Sequence, residues 1–153
     1  MLKTKEKISY KLLNKLTGQD LIIIEGTLAK FLHKHLEQYG DKIKDIQKAI
    51  DYVFERGGNI TVQYIDNEIV GAVVINQTGM KGYIPENILV YIAVNNQYRG
   101  RGLGKQLMEK AINSCKGDIA LHVEKDNPAR FLYEKLGFTN PYLEMRLKRS
   151  KWI

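Results

Sequence analysis

Two periodicities share the chain, and the switch between them lays out its elements. Residues 8–13 alternate loosely and predict a first strand. Thr17 reads as a helix N-cap, with Asp20 three residues on as a weak capping box. Leu21, Ile24, Leu28, Phe31, Leu32, His35 and Leu36 then follow i, i+3, i+4 spacing, which predicts a helix to about Tyr39. Gly40-Asp41 breaks it. Ile43, Ile46, Ile50, Val53 and Phe54 repeat the spacing to about Arg56, where Gly57-Gly58 is a C-terminal cap signal. Period two follows. Ile60, Val62 and Tyr64 alternate up to Asp66-Asn67, which sits where a tight turn belongs, and 68–75 reads as the return strand. Gly79, Gly82 and Pro85 mark 76–87 as a loop. The apolar run 88–94 has the composition of a strand buried on both faces. A glycine-rich turn, a helix over 102–114, a buried strand over 119–123, a short helix from Pro128 to Gly137 and a last strand over 142–148 complete the order. Strand, two helices, hairpin, then βαβα and a strand predict a mixed α/β sheet with a parallel crossover in its second half.

Length and composition narrow the classes. At 153 residues the chain predicts a single domain spanning 1–153. The one cysteine, Cys115, excludes an internal disulfide and suits a reducing, cytoplasmic setting. The first residues carry charge but no apolar h-region, so no secretory signal is expected, and no apolar run approaches a membrane span. The net charge of +7 is concentrated near the two ends, at Lys3, Lys5, Lys7, Lys11 and Lys15 and at Lys148, Arg149 and Lys151. Solvated ends explain that distribution, and without interleaved aromatics it predicts neither a nucleic-acid nor a membrane partner. His33 and His35 fall on different faces of the first helix, with no Cys, Asp or Glu at ligand spacing, so they read as solvated and no metal site is expected. Cys115 has no motif to activate it as a nucleophile.

The informative segment is Gln97-Tyr98-Arg99-Gly100-Arg101-Gly102-Leu103-Gly104-Lys105, between a buried strand and an amphipathic helix. Glycines let backbone approach a ligand, and the unpaired amides at a helix start, at the positive end of its dipole, can hold an anion. Arg99, Arg101 and Lys105 add charge at the rim, so a phosphate site is the physical inference. A Walker A loop needs four residues between its glycines and Ser or Thr after the lysine; Gly100 and Gly104 enclose three, and Gln106 follows Lys105. The dinucleotide fingerprint needs a third glycine where Lys105 stands. Spacing alone leaves open a turn that serves only as scaffold.

Arg99-x-x-Gly102-x-Gly104, after a strand ending Ile92-Ala93-Val94, resembles the acyl-CoA pyrophosphate motif of the GNAT superfamily of N-acetyltransferases. Asp126-Asn127-Pro128-Ala129-Arg130-Phe131-Leu132-Tyr133-Glu134-Lys135-Leu136-Gly137-Phe138 resembles the later motif of that family, an Asn-containing loop followed by a Tyr-x-x-x-Gly-Phe helix end. The resemblance covers residues 87–147. It implies a mixed central sheet of about 6–7 strands, splayed at the central parallel pair and flanked by about four helices. It implies acetyl-CoA as co-substrate, with pantetheine bonded to backbone near Ile92, Ala93 and Val94. The pyrophosphate would lie on the amides of Arg99, Gly100, Arg101, Gly102, Leu103 and Gly104, with Lys105 or Arg101 nearby. Tyr133 matches the tyrosine that protonates the departing thiolate; a phenol of pKa about 10 stays protonated at neutral pH. The asparagine position falls on Asn127 or Asp126; Asn127 is preferred because a neutral amide both donates and accepts. For the base, Glu86, His122 and Glu124 are candidates, the last two sharing a strand face by period two. The activity implied is transfer of an acetyl group to a primary amine, on a small molecule, an amino acid or a peptide N-terminus, in a ternary complex. The alternative is an acyl-CoA-binding regulatory module without an effective base. A homodimer through the later strands would be common for the family.

Overall fold

A computed structural model describes residues 6–149; Lys3, Lys5 and Lys151 of the charged ends lie outside them. By its internal contacts the chain forms two compact units, one running through Leu121 and one beginning at His122.

The first unit is built on a five-stranded sheet in the order β1 (Ile8–Leu13), β2 (Gly58–Ile65), β3 (Glu68–Gln77), β4 (Asn87–Val94) and β5 (Ile119–Leu121). The first four strands are antiparallel neighbours, and β4–β5 is parallel. The β2–β3 hairpin turns at Asp66 and Asn67, whose φ values of 49° and 69° are those a two-residue type I′ turn requires. Helices α2 (Thr27–Leu36) and α3 (Ile43–Glu55) bury Leu28, Leu32, Ile46, Ile50 and Val53 against Ile60, Val62, Ala72 and Val74 of one sheet face. The residues between these on β2 and β3 point the other way, toward α4 (Leu103–Asn113), which buries Leu103, Leu107, Met108 and Ala111. With both faces covered, nearly all of β2 is buried.

The first helix differs from its sequence pattern. It divides at Gly26, whose φ of 77° is left-handed, into α1 (Leu21–Ile24) and α2, and ends in a 3₁₀ turn, Glu37–Tyr39. Its N-cap is Asp20, whose carboxylate accepts from the Ile22 amide at 3.1 Å, whereas Thr17 closes the preceding turn with Asn14. Asp20 also pairs with Lys11, which holds its carboxyl below the usual carboxylate range.

The parallel pair is short. Asn87, Ile88 and Leu89 face Ile119, Ala120 and Leu121, and there the pairing stops. Strand β3 stays paired to β4 as far as Val94, across a register shift at Val74/Ile75. Among the described residues, β4 beyond Leu89 therefore has a ladder on one side only, which is the expected splay.

In the second unit, α5 (Ala129–Lys135) is capped at its start by Asn127, whose Oδ1 accepts the Ala129 amide at 2.9 Å. Gly137, at φ 100°, ends it, and the Phe138 amide reaches back to the Tyr133 carbonyl at 3.0 Å. The expected strand over 142–148 does not form, and that over 119–123 stops at Leu121. Among the described residues nothing pairs with 142–148, so its alternation has no sheet to lie against: Tyr142 and Met145 are 85% and 90% exposed. The strand count is accordingly five among the described residues, rather than about six or seven. Among the described residues no helix is long and apolar enough to cross a membrane.

Candidate active site

Strand β4 delivers its C-terminal residues Ile92, Ala93 and Val94, opposite Val73, Ala72 and Gly71, straight into the glycine turn. Asn95 shapes the exit: its side chain accepts the Gln97 amide at 2.9 Å and starts a single 3₁₀ turn, Asn96–Tyr98. Gly100 and Gly102 then take φ values of 82° and 77°, open to glycine at no steric cost. Gly102 is the N-cap of α4. The first bond of that helix runs from the Gln106 amide to the Gly102 carbonyl at 3.2 Å, so the amides of Leu103, Gly104 and Lys105 precede the ladder. Val94, Tyr98, Arg99, Gly100, Gly102, Leu103 and Gly104 line a cavity of about 180 Å³ there. Unladdered amides, a helix dipole and no side chain on three of the lining residues fit an anion such as a pyrophosphate.

The two arginines of the turn do more than line its rim. Arg99 donates to Glu37 Oε1 at 2.9 Å and to the His35 carbonyl at 2.8 Å, tying the turn to the end of α2. Arg101 pairs with Glu6 at 3.1 Å and lies over the Tyr98 ring at 5.0 Å. Each pair is about half exposed, so each contributes at most about 1 kcal/mol, and a ligand phosphate can compete for either. Lys105 is exposed.

His35 is not solvated, as its spacing suggested, but 5% exposed. Its ring packs against Phe31 in a tilted arrangement, centroids 4.7 Å apart, and its Nδ1 accepts the Asn96 amide at 3.3 Å, at the entry to the turn. Burial, then the charges of Lys34 and Arg99, hold its pKa below the usual histidine value, opposed by Glu37. The ring is neutral, as an acceptor nitrogen requires.

Further along the open stretch of β4, the Tyr91 hydroxyl donates to Asp41 Oδ2 at 2.5 Å, and the Asp41 carbonyl is bonded to His33 Nδ1 at 3.2 Å. Burial, then that carboxylate, raise the Tyr91 phenol well above its ordinary value. Glu86 lies at the opposite end of β4 from the turn, roughly 25 Å of strand away. Its carboxylate rests on Gly117, where a Cβ would come within 2.0 Å of Oε2, at the paired end of β4–β5.

The second unit holds the other expected residues. His122 and Glu124 are exposed, in a segment that is not strand. Asn127 spends its Oδ1 on capping α5, which leaves its Nδ2 as the group available to donate. Tyr133 is buried, 5.9 Å from the Phe138 ring. Burial, then the Glu124 carboxylate, push its phenol up to about 12. Among the described residues no cluster of His, Cys, Asp or Glu could hold a metal ion.

Sequence pattern missed four of these contributors: buried His35, the Tyr91–Asp41 pair, and Gln63, described below. Gln63 left a signal as an amide between apolar residues in a strand, and His35 as a member of the apolar series of its helix.

The sequence matches the profile of an acetyltransferase (GNAT) domain over residues 56–140. It is 32% identical over 115 residues to the 5-NmdU N-acetyltransferase of Pseudomonas phage PaMx11, covering 70% of this chain and 80% of that protein. It is 26% identical over 124 residues to N-alpha-acetyltransferase 30 of Schizosaccharomyces pombe, covering 73% of this chain and 83% of the relative. Its fold matches that of an aminoglycoside N-acetyltransferase solved in complex with CoA, at a TM-score of 0.68 and 15% identity, over 98% of this chain and 99% of the other.

Proposed function

The chain belongs to the GNAT acetyltransferase family and is an acyltransferase, and from that premise we propose that it transfers the acetyl group of acetyl-CoA to a primary amine by direct attack. The observation that carries this reading is the glycine turn: free helix-start amides around a small cavity at the end of a strand whose ladder is open beyond Leu89. Acetyl-CoA would supply the activated acetyl thioester. The amides of Leu103, Gly104 and Lys105 would bind its pyrophosphate, and backbone groups of Ile92 to Val94 would hold the pantetheine. Holding thioester and amine together is worth up to about 7–11 kcal/mol for ideal alignment. A β4 amide aimed at the thioester oxygen adds about 3–4 kcal/mol.

Tyr133 is the acid of this proposal, in a particular sense. Its phenol is pushed up to about 12, and against a thiol near 8.5 a complete proton transfer runs uphill by roughly 5 kcal/mol. Tyr133 therefore serves as a hydrogen-bond donor to the departing sulfur as charge builds there. Its protonated form persists to high pH, so it sets no alkaline limit on turnover. His122 is the base we favour, because an exposed imidazole nitrogen can accept the proton of the incoming amine. Glu86 rests on Gly117 at the paired end of β4–β5, which makes it the weaker choice. The acceptor is a peptide N-terminus or a small amine, the range spanned by the names of the relatives.

The test is release of free thiol from acetyl-CoA in the presence of N-terminal peptides, free amino acids and small polyamines. Wild type turns over at least one of these. Tyr133→Phe keeps acetyl-CoA binding and loses about 10²–10⁴-fold in kcat, with the remaining rate flat from pH 8 to 10. Cofactor binding with no turnover on any amine would instead leave an acyl-CoA-binding module.

A further inference from the structure

Gln63 lies in the middle of β2, fully buried, on the face that meets α4. Its Nε2 donates to the Leu103 carbonyl at 3.1 Å and to the Tyr10 hydroxyl at 3.1 Å. A carbonyl can only accept, so the carboxamide has one orientation; reversed, it would set two acceptors against each other. That orientation leaves Gln63 Oε1 buried without a hydrogen-bond partner. Across the ladder stands Gly71, where a Cβ would lie 2.6 Å from Gln63 Oε1 and 2.9 Å from Leu107 Cδ2. A glycine inside a strand and an orphan acceptor in the core both weaken the fold. A methionine at 63 would fill similar space without the orphan, so the amide needs a reason other than stability.

That reason lies in what it holds. Leu103 is the first residue of α4, and its amide opens the anion cradle. Tyr10, gripped by the same Nε2, turns its hydroxyl to Gln106 Oε1 at 3.4 Å, one turn further along the same helix. Two strands thus tether the first turn of α4 through a single buried amide. We infer that Gln63 is a positioning residue for the cofactor: it holds the start of α4 in place on the sheet so that the Leu103, Gly104 and Lys105 amides meet the pyrophosphate. This rests on the acetyl-CoA reading above.

The test compares wild type with Gln63→Met, using acetyl-CoA and acetyl-pantetheine, which lacks the pyrophosphate and nucleotide. Thermal melting without ligand first shows that Q63M folds, with a Tm equal to or above wild type. The KM for acetyl-CoA is expected to rise about two- to tenfold, the size of one net hydrogen bond, with kcat at saturation retained. For acetyl-pantetheine kcat/KM stays the same in both proteins. Equal KM values for acetyl-CoA overturn the inference, and so does a parallel loss with both acyl donors, which is the mark of general damage. If Q63M does not fold, Tyr10→Phe on edge strand β1 decides: a smaller loss confined to acetyl-CoA supports the tether, and no loss overturns it. Wild type that binds no acetyl-CoA fails the underlying reading instead, so the two failures are distinguishable.

Discussion

Replacing Gly102 by alanine separates the backbone demand of the turn from its role in binding. Gly102 sits at φ 77° and ψ 10°, where an L-residue costs about 1–2 kcal/mol. Alanine also narrows the unfolded ensemble, which returns about 0.4–1 kcal/mol. The net loss is about 0.5–1.5 kcal/mol, since a Cβ there meets no protein atom within 4 Å and adds no clash. At roughly 2–4 °C per kcal/mol for a chain this long, Tm falls by about 1–6 °C without ligand. Binding should suffer more. Gly102 lines the cavity, so the new methyl occupies space a phosphate would use. Wild type with acetyl-CoA at 100 times its dissociation constant gains about 2.7 kcal/mol, a shift of roughly 5–10 °C. A tenfold weaker variant gains about 1.4 kcal/mol at the same concentration, or half that shift. The assay is thermal melting of both proteins across an acetyl-CoA titration. An equal ligand-induced shift in G102A and wild type would refute this placement of the pyrophosphate, whatever happened to the unliganded Tm.

Two further predictions concern stability. His35 takes up its proton in the unfolded chain near pH 6.5 but only at lower pH when folded, so its contribution is intact above 6.5 and declines as pH falls toward the depressed native value. The Tm gap between wild type and His35→Gln should therefore narrow between pH 7.5 and 5; a gap constant across that range removes the argument. Gly58, at the start of β2, has φ 137° and would place a Cβ 2.1 Å from the Ile75 carbonyl oxygen. Backbone strain and overpacking of about 1–3 kcal/mol each should lower the Tm of Gly58→Ala by roughly 4–24 °C. A drop under 3 °C in a melt would show that the strand start yields to the methyl.

What the sequence disclosed follows the range of the forces involved. The glycine turn and the Asp66-Asn67 hairpin were legible because φ preferences act within a few residues. Strand β4 was legible as a strand, but of 88–94 only Leu89 and Ala93 are buried, not both faces as its apolar run predicts. Helix α3 was legible because one face must be covered by something, whatever it is. The misreadings needed to know what. Thr17 and Asp20 are both good caps, and Asp20 takes the role while it also pairs with Lys11 on β1. The pattern over 142–148 is a fair strand pattern, and alternation cannot say whether a neighbour stands ready to pair. His35 falls in the apolar series of its helix, but without a ligand partner at local spacing it reads as solvated; it is buried, with its partner Asn96 61 residues on.

The candidate site divides along the same line. The residues proposed to meet the cofactor through the backbone, Ile92 to Val94 and Gly100 to Gly104, are written locally. The side chains that hold this backbone in place are written elsewhere: Glu37 and Glu6 on the turn arginines, His35 on Asn96, Gln63 and Tyr10 on the first turn of α4. Each of these is at least 40 residues from what it holds, beyond any motif. Three separate elements grip the turn: α2 at its entry, β2 at its exit, and Glu6 at Arg101. A cradle for an anion binds well when its amides are fixed before the ligand arrives, since ordering them afterwards would be drawn from the binding energy. On the proposed reading, the motif supplies the donors and distant polar side chains supply the preorganisation. Substitutions at His35 and Gln63 should accordingly weaken cofactor binding while leaving the motif intact.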